Sequence, residues 1–288
     1  MNDPIPFRLG YATSGFAHHR LEDAIRLLAR YGYRAVSLTL DVQHLDPFAP
    51  DLPGRTAAVR RLLEDLDMSV VVETGARYLL DPARKHQPTL LSDAAADRGR
   101  RAEFLSTAVS VARDLGADCL SFWSGTKPPG LDDDEAWDRL VAGTSALSAE
   151  AVQKGVRLGF EPEPGMFVAT AEQWTELDRR LGSPPGFGLA FDVGHALAVE
   201  EGDPAEILRR HAARLTTVAI EDMRRRVHEH LMFGDGHLDL PGVVDALESV
   251  GYAGVVSVEL PRHAHAATTI AARCAEIFAA LGADVRPR

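Results

Sequence analysis

The residues best suited to chemistry are acids and histidines that follow short apolar runs in the second half of the chain. Four successive runs of this kind end in an acidic residue, namely Glu161, Asp192, Glu221 and Glu259. Histidines follow three of these acids closely, and the loop after Glu221 is the richest in them. Carboxylates confined in one site repel one another unless a cation is bound. Oxygen ligands with a few imidazoles suit Mn²⁺, Mg²⁺, Co²⁺ or Zn²⁺, so the pattern predicts a divalent-metal site.

These acids can meet only if their strands are parallel and adjacent, and the rest of the chain predicts that arrangement. Eight apolar runs are typical of buried strands: Arg8–Thr13, Arg34–Leu40, Ser69–Glu73, Asp118–Trp123, Val156–Glu161, Gly188–Asp192, Thr216–Ile220 and Val255–Glu259. Eight amphipathic stretches are typical of helices: Arg20–Tyr31, Arg55–Leu66, Arg98–Leu115, Asp134–Lys154, Ala171–Leu181, Pro204–His211, Pro241–Val250 and Ala266–Leu281. Eight alternating units predict an α/β protein made of a single (β/α)8 TIM barrel, with an open doubly wound sheet as the alternative. No strand is followed by GxGxxG or GxxxxGK[ST], which favours the barrel.

Length and composition fit one barrel domain that acts on small molecules. The chain has 288 residues, near the roughly 250 of a typical (β/α)8 barrel, and 45% of them are hydrophobic. A formal net charge of −11 gives no general attraction to nucleic acid or to anionic lipid, so we expect neither as a partner. The sequence shows no signal-peptide pattern and no run of apolar residues long enough for a membrane span, so we expect a cytoplasmic protein. Cys119 and Cys274 are predicted to be buried thiols rather than a disulfide.

Four motifs resemble those of one enzyme superfamily. They are EPEPG on the fifth strand, FDVGH on the sixth, HEHLMFGDG after the seventh and GYAGVVSVELPR on the eighth. In this order they resemble the xylose-isomerase-like TIM barrels, which include sugar and sugar-phosphate isomerases and epimerases as well as endonuclease-IV-type enzymes (AP endonuclease family 2). The resemblance covers nearly the whole chain and is strongest from Val156 to Arg262.

The resemblance implies that one divalent metal is held by Glu161, Asp192 and Glu259. The fourth ligand of the epimerases is a histidine on the seventh strand, and the matching position in this chain is Ala219. One way to replace that histidine is for Glu221 to reach the metal.

A second way is for the metal to lie closer to the loop histidines. The endonuclease-type members bind an additional metal at positions that match His195, His228 and His230. Three imidazoles form a zinc site in other proteins. The resemblance therefore implies one divalent metal and leaves a second one open.

The activity implied by the resemblance is that of an isomerase or epimerase acting on a sugar or sugar phosphate. A metal polarises the oxygens of a hydroxy-ketone, while Glu161 and Glu259 remove and return a proton through an enediolate. We expect substrate contacts from His195, Arg262, Trp123, Phe16, Lys85 and His86. The last two belong to the long irregular stretch Gly75–Ala96, which we interpret as a lid or substrate-contact loop.

Three other functions are compatible with the same ligands. One is metal-dependent phosphoester hydrolysis of the endonuclease-IV kind, and another is dehydration of a cyclitol-like ketone. The third is a catalytically inactive barrel that binds a metabolite, which Ala219 favours. The resemblance also implies a homodimer or homotetramer, and the segment Ala283–Arg288 is predicted to be a disordered tail.

Overall fold

The fold is a closed barrel of eight parallel strands, as the alternating pattern predicts. The structure is a computed structural model that describes residues 5–75, 77–199 and 202–286. Its strands are β1 (Arg8–Ala12), β2 (Ala35–Thr39), β3 (Ser69–Glu73), β4 (Leu120–Phe122), β5 (Leu158–Phe160), β6 (Phe187–Asp192), β7 (Leu215–Ile220) and β8 (Val255–Val258). Each strand pairs in parallel with the next, and β8 pairs with β1, so the sheet closes. Strands buried on both faces read as nearly continuous apolar runs, which is why the sequence reveals them.

Helices cover the outside of the barrel. They are α1 (Leu21–Arg30), α2 (Leu52–Asp65), α3 (Ala95–Leu115), α4 (Asp133–Lys154), α5 (Ala171–Leu181), α6 (Val193–Val199), α7 (Pro204–His211), α8 (Leu240–Ser249) and α9 (Ala267–Ala280). Gly116 and Gly155 end α3 and α4 in the left-handed conformation that a helix C-terminus favours. The eight predicted helices are present, two with the predicted ends and six with ends shifted by up to three residues, and the short helix α6 was not predicted. It starts directly after β6 and carries FDVGH into the site.

The inside of the barrel changes from apolar to polar towards the carboxyl ends of the strands. In the strand register Glu73 lies opposite Thr39 and Ser121, while Asp192 lies opposite Ala219. Active sites of this fold lie at the carboxyl ends of the strands. The polar layer therefore forms the floor of a site above a packed apolar core.

Other sequence predictions can be compared with the structure. Cys119 and Cys274 are free and buried, as predicted. The prediction of a disordered tail is wrong for its described part, because Ala283 is buried in the core and Asp284 pairs with Arg34 at 3.2 Å. The last two residues of that segment lie outside the described residues. Within the described ranges, none of the helices combines the length and apolar character of a membrane span.

Candidate active site

The turn from β6 into α6 places two candidate ligands in a fixed relation. Asp192 is the last residue of β6, and its Oδ1 accepts the backbone N–H of His195 at 2.7 Å. This hydrogen bond holds the other oxygen, Oδ2, 3.6 Å from His195 Nε2. Both side chains are buried. The adjacent glycine, Gly194, leaves no room for a methyl group, because an added Cβ would lie 2.2 Å from Glu221 Oε1.

Three carboxylates from different strands meet above the floor of the barrel. Ligand atoms of Glu161, Asp192 and Glu259 all lie within 4.8 Å of one another. The hydroxyl of Ser121 donates to Glu161 Oε2 at 3.2 Å and so fixes one of the three. The structure therefore brings together the three residues that the resemblance implies as metal ligands.

The loop after β7 is folded around one buried acid. Asp222 is 1% exposed, and its carboxylate accepts backbone N–H groups from Gly234, Gly236 and Leu238 at 2.9–3.0 Å. Asp222 also exchanges two backbone hydrogen bonds with Leu231. These contacts turn the chain back towards the barrel axis. Asp222 is thus a structural residue, and it positions the histidines that precede Leu231.

Those histidines meet His195 in a cluster of three imidazoles. The ring of His195 lies 4.9 Å from that of His228 and 5.8 Å from that of His230. One nitrogen from each of the three lies within 4.8 Å of the others. His230 Nδ1 also lies 3.4 Å from Glu221 Oε1, which belongs to a further group with Asp192 and His195. Both sequence-based subsites are therefore geometrically formed, and His195 borders each of them.

Ala219 faces the floor of the site, where the expected histidine is missing. It lines a cavity of about 20 Å³ together with Asp192, Glu161, Glu259 and several small residues. A cavity of that size holds about one water molecule. The buried carboxylate of Glu221, two residues along the strand, lies on the α6 side of this cavity against Gly194.

Many polar atoms of the site are buried without a hydrogen-bond partner among the described residues. They are Asp192 Oδ2, both imidazole nitrogens of His195, both carboxylate oxygens of Glu221, and His230 Nδ1. Each such atom costs about 1–3 kcal/mol, so six in one place demand an explanation. One ligand atom each from Asp192, His195 and Glu221 lies within 4.8 Å of the others, and His230 Nδ1 lies 3.4 Å from Glu221 Oε1. A divalent cation fits this donor set.

The pKa shifts of these residues also indicate that the site favours a positive charge. Burial, followed by the carboxylates of Glu163 and Glu259, raises the pKa of Glu161 well above its usual value. Burial and neighbouring acids also raise the pKa of Glu221 and of Glu259. Burial, reinforced by His195, lowers the pKa of His230 to about 3, so that imidazole is neutral. Neutral imidazoles and acids that repel one another form a site that favours a cation.

Burial alone would raise the pKa of Asp192 as well. The imidazole of His195 and its backbone N–H outweigh burial and lower that pKa. Asp192 is therefore the carboxylate that is held ionised by the protein itself.

A cavity of about 410 Å³ opens above these groups, within the range of small-ligand sites. Of the predicted substrate contacts, His195, Arg262, Trp123, Lys85 and His86 line it. The prediction for Phe16 is not met, because its ring is fully buried and packs edge-on against Tyr11. Phe16 belongs to a 3₁₀ turn that follows β1, and this turn directs the ring into the core.

Three charged residues that line the cavity had no individual role assigned in the sequence analysis. They are Glu73, Glu163 and Arg77. Glu73 is the last residue of β3 and accepts a hydrogen bond from Thr39 Oγ1 at 2.8 Å, so the rule that strand-end acids meet at one edge would have found it. Glu163 Oε2 lies 3.8 Å from His195 Nδ1. Arg77 lies inside the irregular stretch Gly75–Ala96, and nothing in the sequence distinguishes it from the other residues of that stretch.

Comparison with known proteins agrees with this geometry. The family model described as "Xylose isomerase-like TIM barrel" matches residues 25–281. The chain is 28% identical to an L-ribulose 3-epimerase of Mesorhizobium japonicum over 227 residues, which are 76% of this chain and 70% of that protein. It is 29% identical to an inosose dehydratase of Lacticaseibacillus casei over 150 residues, 46% of this chain and 49% of that protein. The chain thus spans about half the length of the inosose dehydratases that it matches.

Among solved structures, the IOLI protein crystallised with a bound zinc atom superposes with a TM-score of 0.74. The match covers 94% of this chain and 97% of that one, at 17% sequence identity, and so it concerns the fold. The family match extends from α1 to the end of α9, through every strand that contributes to the site except β1. The chain belongs to the xylose isomerase-like TIM barrel family.

Proposed function

We propose that this protein is a divalent-metal-dependent isomerase or epimerase that acts on a polyhydroxylated ketone or aldehyde such as a sugar. The observation that carries the proposal is the set of six buried, unpartnered ligand atoms beside the carboxylates of Glu161 and Glu259. The epimerase named among the relatives supports the reaction class.

The proposed metal ligands are Glu161, Asp192 and Glu259, with Glu221 and His195 on the side where the strand-7 histidine is missing. When bound, the metal supplies polarisation of the substrate's carbonyl and hydroxyl oxygens, which acidifies the adjacent C–H. The cluster of His195, His228 and His230 offers a place for a second ion.

Glu161 and Glu259 are the proposed acid–base pair. They come from β5 and β8 and border the cavity, so that substrate lies between them. One carboxylate removes the proton on the carbon beside the carbonyl, and the other returns it on the opposite face. Ser121 orients Glu161 through its 3.2 Å hydrogen bond.

The reaction class is tested by proton NMR in D₂O on protein supplied with Mn²⁺, Co²⁺ or Zn²⁺. A panel of ketoses is followed for loss of the signal from the proton beside the carbonyl. We expect exchange with wild type and its loss in both Glu161→Gln and Glu259→Gln, with Arg84→Gln as a surface control. Exchange that survives in both glutamine variants would exclude the pair as the catalytic bases.

The metal assignment is tested by elemental analysis of protein purified without chelator. We expect wild-type protein to contain one equivalent of divalent metal, which is lost in Glu259→Gln and retained in His230→Ala. Loss in His230→Ala with retention in Glu259→Gln would move the centre to the three imidazoles. Wild-type protein without metal would overturn the proposal.

A dehydratase is the second candidate, because the L. casei relative and several others are named inosose dehydratases. Abstraction of the same proton by Glu161 or Glu259 would then be followed by departure of the hydroxyl group on the next carbon as water. The NMR assay separates the two, since epimerisation conserves the number of hydroxyl-bearing carbons, whereas dehydration lowers that number and creates a CH₂ group once the enol product becomes a ketone.

A further inference from the structure

The charged groups around the cavity are separated into an acidic floor and a basic rim. The floor holds the strand-end carboxylates, whereas the side chains of Arg77, Lys85 and Arg262 line the opening. Arg77 and Lys85 belong to the loop between β3 and α3, and Arg262 follows β8. The chain has a net charge of −11, so three cations around one cavity form a local concentration of positive charge that can attract a ligand.

None of these three cations has an ion-pair partner among the described residues, and Arg262 donates only to the backbone carbonyl of His228 at 3.5 Å. Neither Arg77 nor Lys85 lies within 4.0 Å of a described carboxylate, although the same loop contains a cation that does. Arg84 Nε lies 2.7 Å from Asp81 Oδ2, and Arg84 does not line the cavity. The loop thus pairs its outer cation and leaves the two that line the cavity available to a ligand.

The loop holds these two cations in defined positions. The backbone N–H of His86 donates to the carbonyl of Arg77 at 2.6 Å, which closes residues 77–86 into a ring. Arg77 and Lys85 therefore lie at the two ends of one closed loop. The ring of His86 lies 5.2 Å from that of Trp123, which anchors the loop on the barrel.

A fourth cation lies behind the wall of the cavity. Arg101 of α3 is 0% exposed, and its guanidinium lies 4.3 Å from the centre of the Trp123 ring. Its one hydrogen bond is from Nη2 to the carbonyl of Thr74 at 3.2 Å, while Nε and Nη1 have no partner in the described structure. A buried cation without a carboxylate costs several kcal/mol. Trp123 and Thr74 both line the cavity, so the field of this charge acts on whatever binds there.

We infer that the substrate carries an oxyanion group, a carboxylate or a phosphate, which Arg77 and Lys85 bind at the rim while its hydroxyl and carbonyl oxygens face the acidic floor. The inference rests on the proposed function and narrows its substrate class to acidic sugars. An anion is repelled from the floor and attracted to the rim, so the charge separation also fixes which end of the substrate reaches Glu161 and Glu259. A neutral sugar would leave both rim cations without a partner.

The test is isothermal titration calorimetry of the metal-loaded protein with three probes: D-fructose, D-fructuronate and D-fructose 6-phosphate. A charged group bound by one or two cations gains affinity of roughly 10- to 100-fold, so we expect at least one of the acidic probes to bind about tenfold tighter than fructose. The preference, measured as the ratio of acidic-probe affinity to fructose affinity, should disappear in the double variant Arg77→Gln/Lys85→Met. The relative affinity of the two acidic probes identifies the oxyanion.

Arg84→Met is the matched control, because it removes the same charge from the same loop at a paired position outside the cavity. It should retain the preference for the acidic probe. Equal binding of fructose and both acidic probes by wild type would overturn the inference. So would a preference that survives in the double variant, since the anion would then be bound by the metal or by Arg262 instead.

The proton-exchange assay separates failure of this inference from failure of the proposed function. Exchange on fructose without preference for an acidic probe refutes the acidic substrate and leaves the isomerase standing. Preference for an acidic probe that depends on Arg77 and Lys85, without exchange on any probe, supports the anion site and refutes the isomerase.

Discussion

Gly194 is the position at which one added methyl group tests the metal site. It is the second residue of α6, and the Cβ of an alanine there would lie 2.2 Å from Glu221 Oε1 and 2.9 Å from the methyl carbon of Met223. Real Cβ contacts are essentially never shorter than 3.0 Å, so the carboxylate must move by at least 0.8 Å. Distances in metal sites are held to about 0.2 Å, so Glu221 would leave its place in the ligand set.

The expected result is a loss of metal affinity of about 10- to 100-fold, as for the loss of other supporting groups around a metal. Overpacking of this kind costs about 1–3 kcal/mol, against a gain of up to about 1 kcal/mol from the better helix propensity of alanine. We therefore expect Gly194→Ala to be less stable than wild type by about 1–2 kcal/mol. Metal affinity is measured by competition with a fluorescent zinc chelator and stability by urea unfolding.

The matched control is Gly99→Ala, which adds the same methyl group to the exposed surface of α3 with no atom within 4 Å. The free energy of unfolding of that variant should rise by about 0.5–1 kcal/mol, and its metal affinity should equal that of wild type. The double variant Gly194→Ala/Glu221→Asp should recover stability, because the shorter acid makes room, but not metal affinity. Wild-type metal affinity in Gly194→Ala would refute the placement of Glu221 beside the metal.

Three further predictions concern the loop after β7, the buried arginine and the metal. Asp222→Asn weakens the charge-assisted hydrogen bonds that hold Gly234 and Gly236, so we expect the free energy of unfolding to fall by about 2–4 kcal/mol. The backbone amides of both glycines should also exchange faster with solvent, and unchanged exchange would contradict the role of Asp222. Arg101→Met removes an unpaired buried charge, so urea unfolding should show a free energy of unfolding equal to that of wild type or up to about 2 kcal/mol higher. Binding of the acidic probes should weaken in this variant. A large loss of stability would show that Arg101 is a structural residue. A metal present at about 1,000 times its dissociation constant stabilises the folded protein by about 4 kcal/mol, so its removal with EDTA should lower the midpoint of thermal unfolding by about 8 °C. A midpoint that does not respond to EDTA would refute metal binding.

The barrel was predictable from the sequence because its signals are local. Strands buried on both faces read as apolar runs whatever their neighbours are, and glycines such as Gly116 and Gly155 mark helix ends through their own backbone conformation. All eight predicted strands are present, with ends shifted by at most two residues. The short helix α6 was missed because its seven residues give too little periodicity to detect.

Glu161, Asp192 and Glu259 were predictable as neighbours because the carboxyl ends of parallel strands share one edge of the barrel. The same rule reaches Glu73, which the sequence analysis left without a role. It fails for Phe16, because a residue just beyond a strand can turn into the core or towards the cavity, and only the 3₁₀ turn after β1 decides between them.

The sequence by itself therefore determined the barrel, the edge at which its site lies and three of the acids that meet there, since each depends on residues close together in the chain. Only the tertiary structure decided that Asp222 is a structural acid, that Arg77 lines the cavity, and that Arg101 lies unpaired behind Trp123. These properties depend on loops that pack across the barrel, where the partner of a side chain lies many residues away and no local pattern records it.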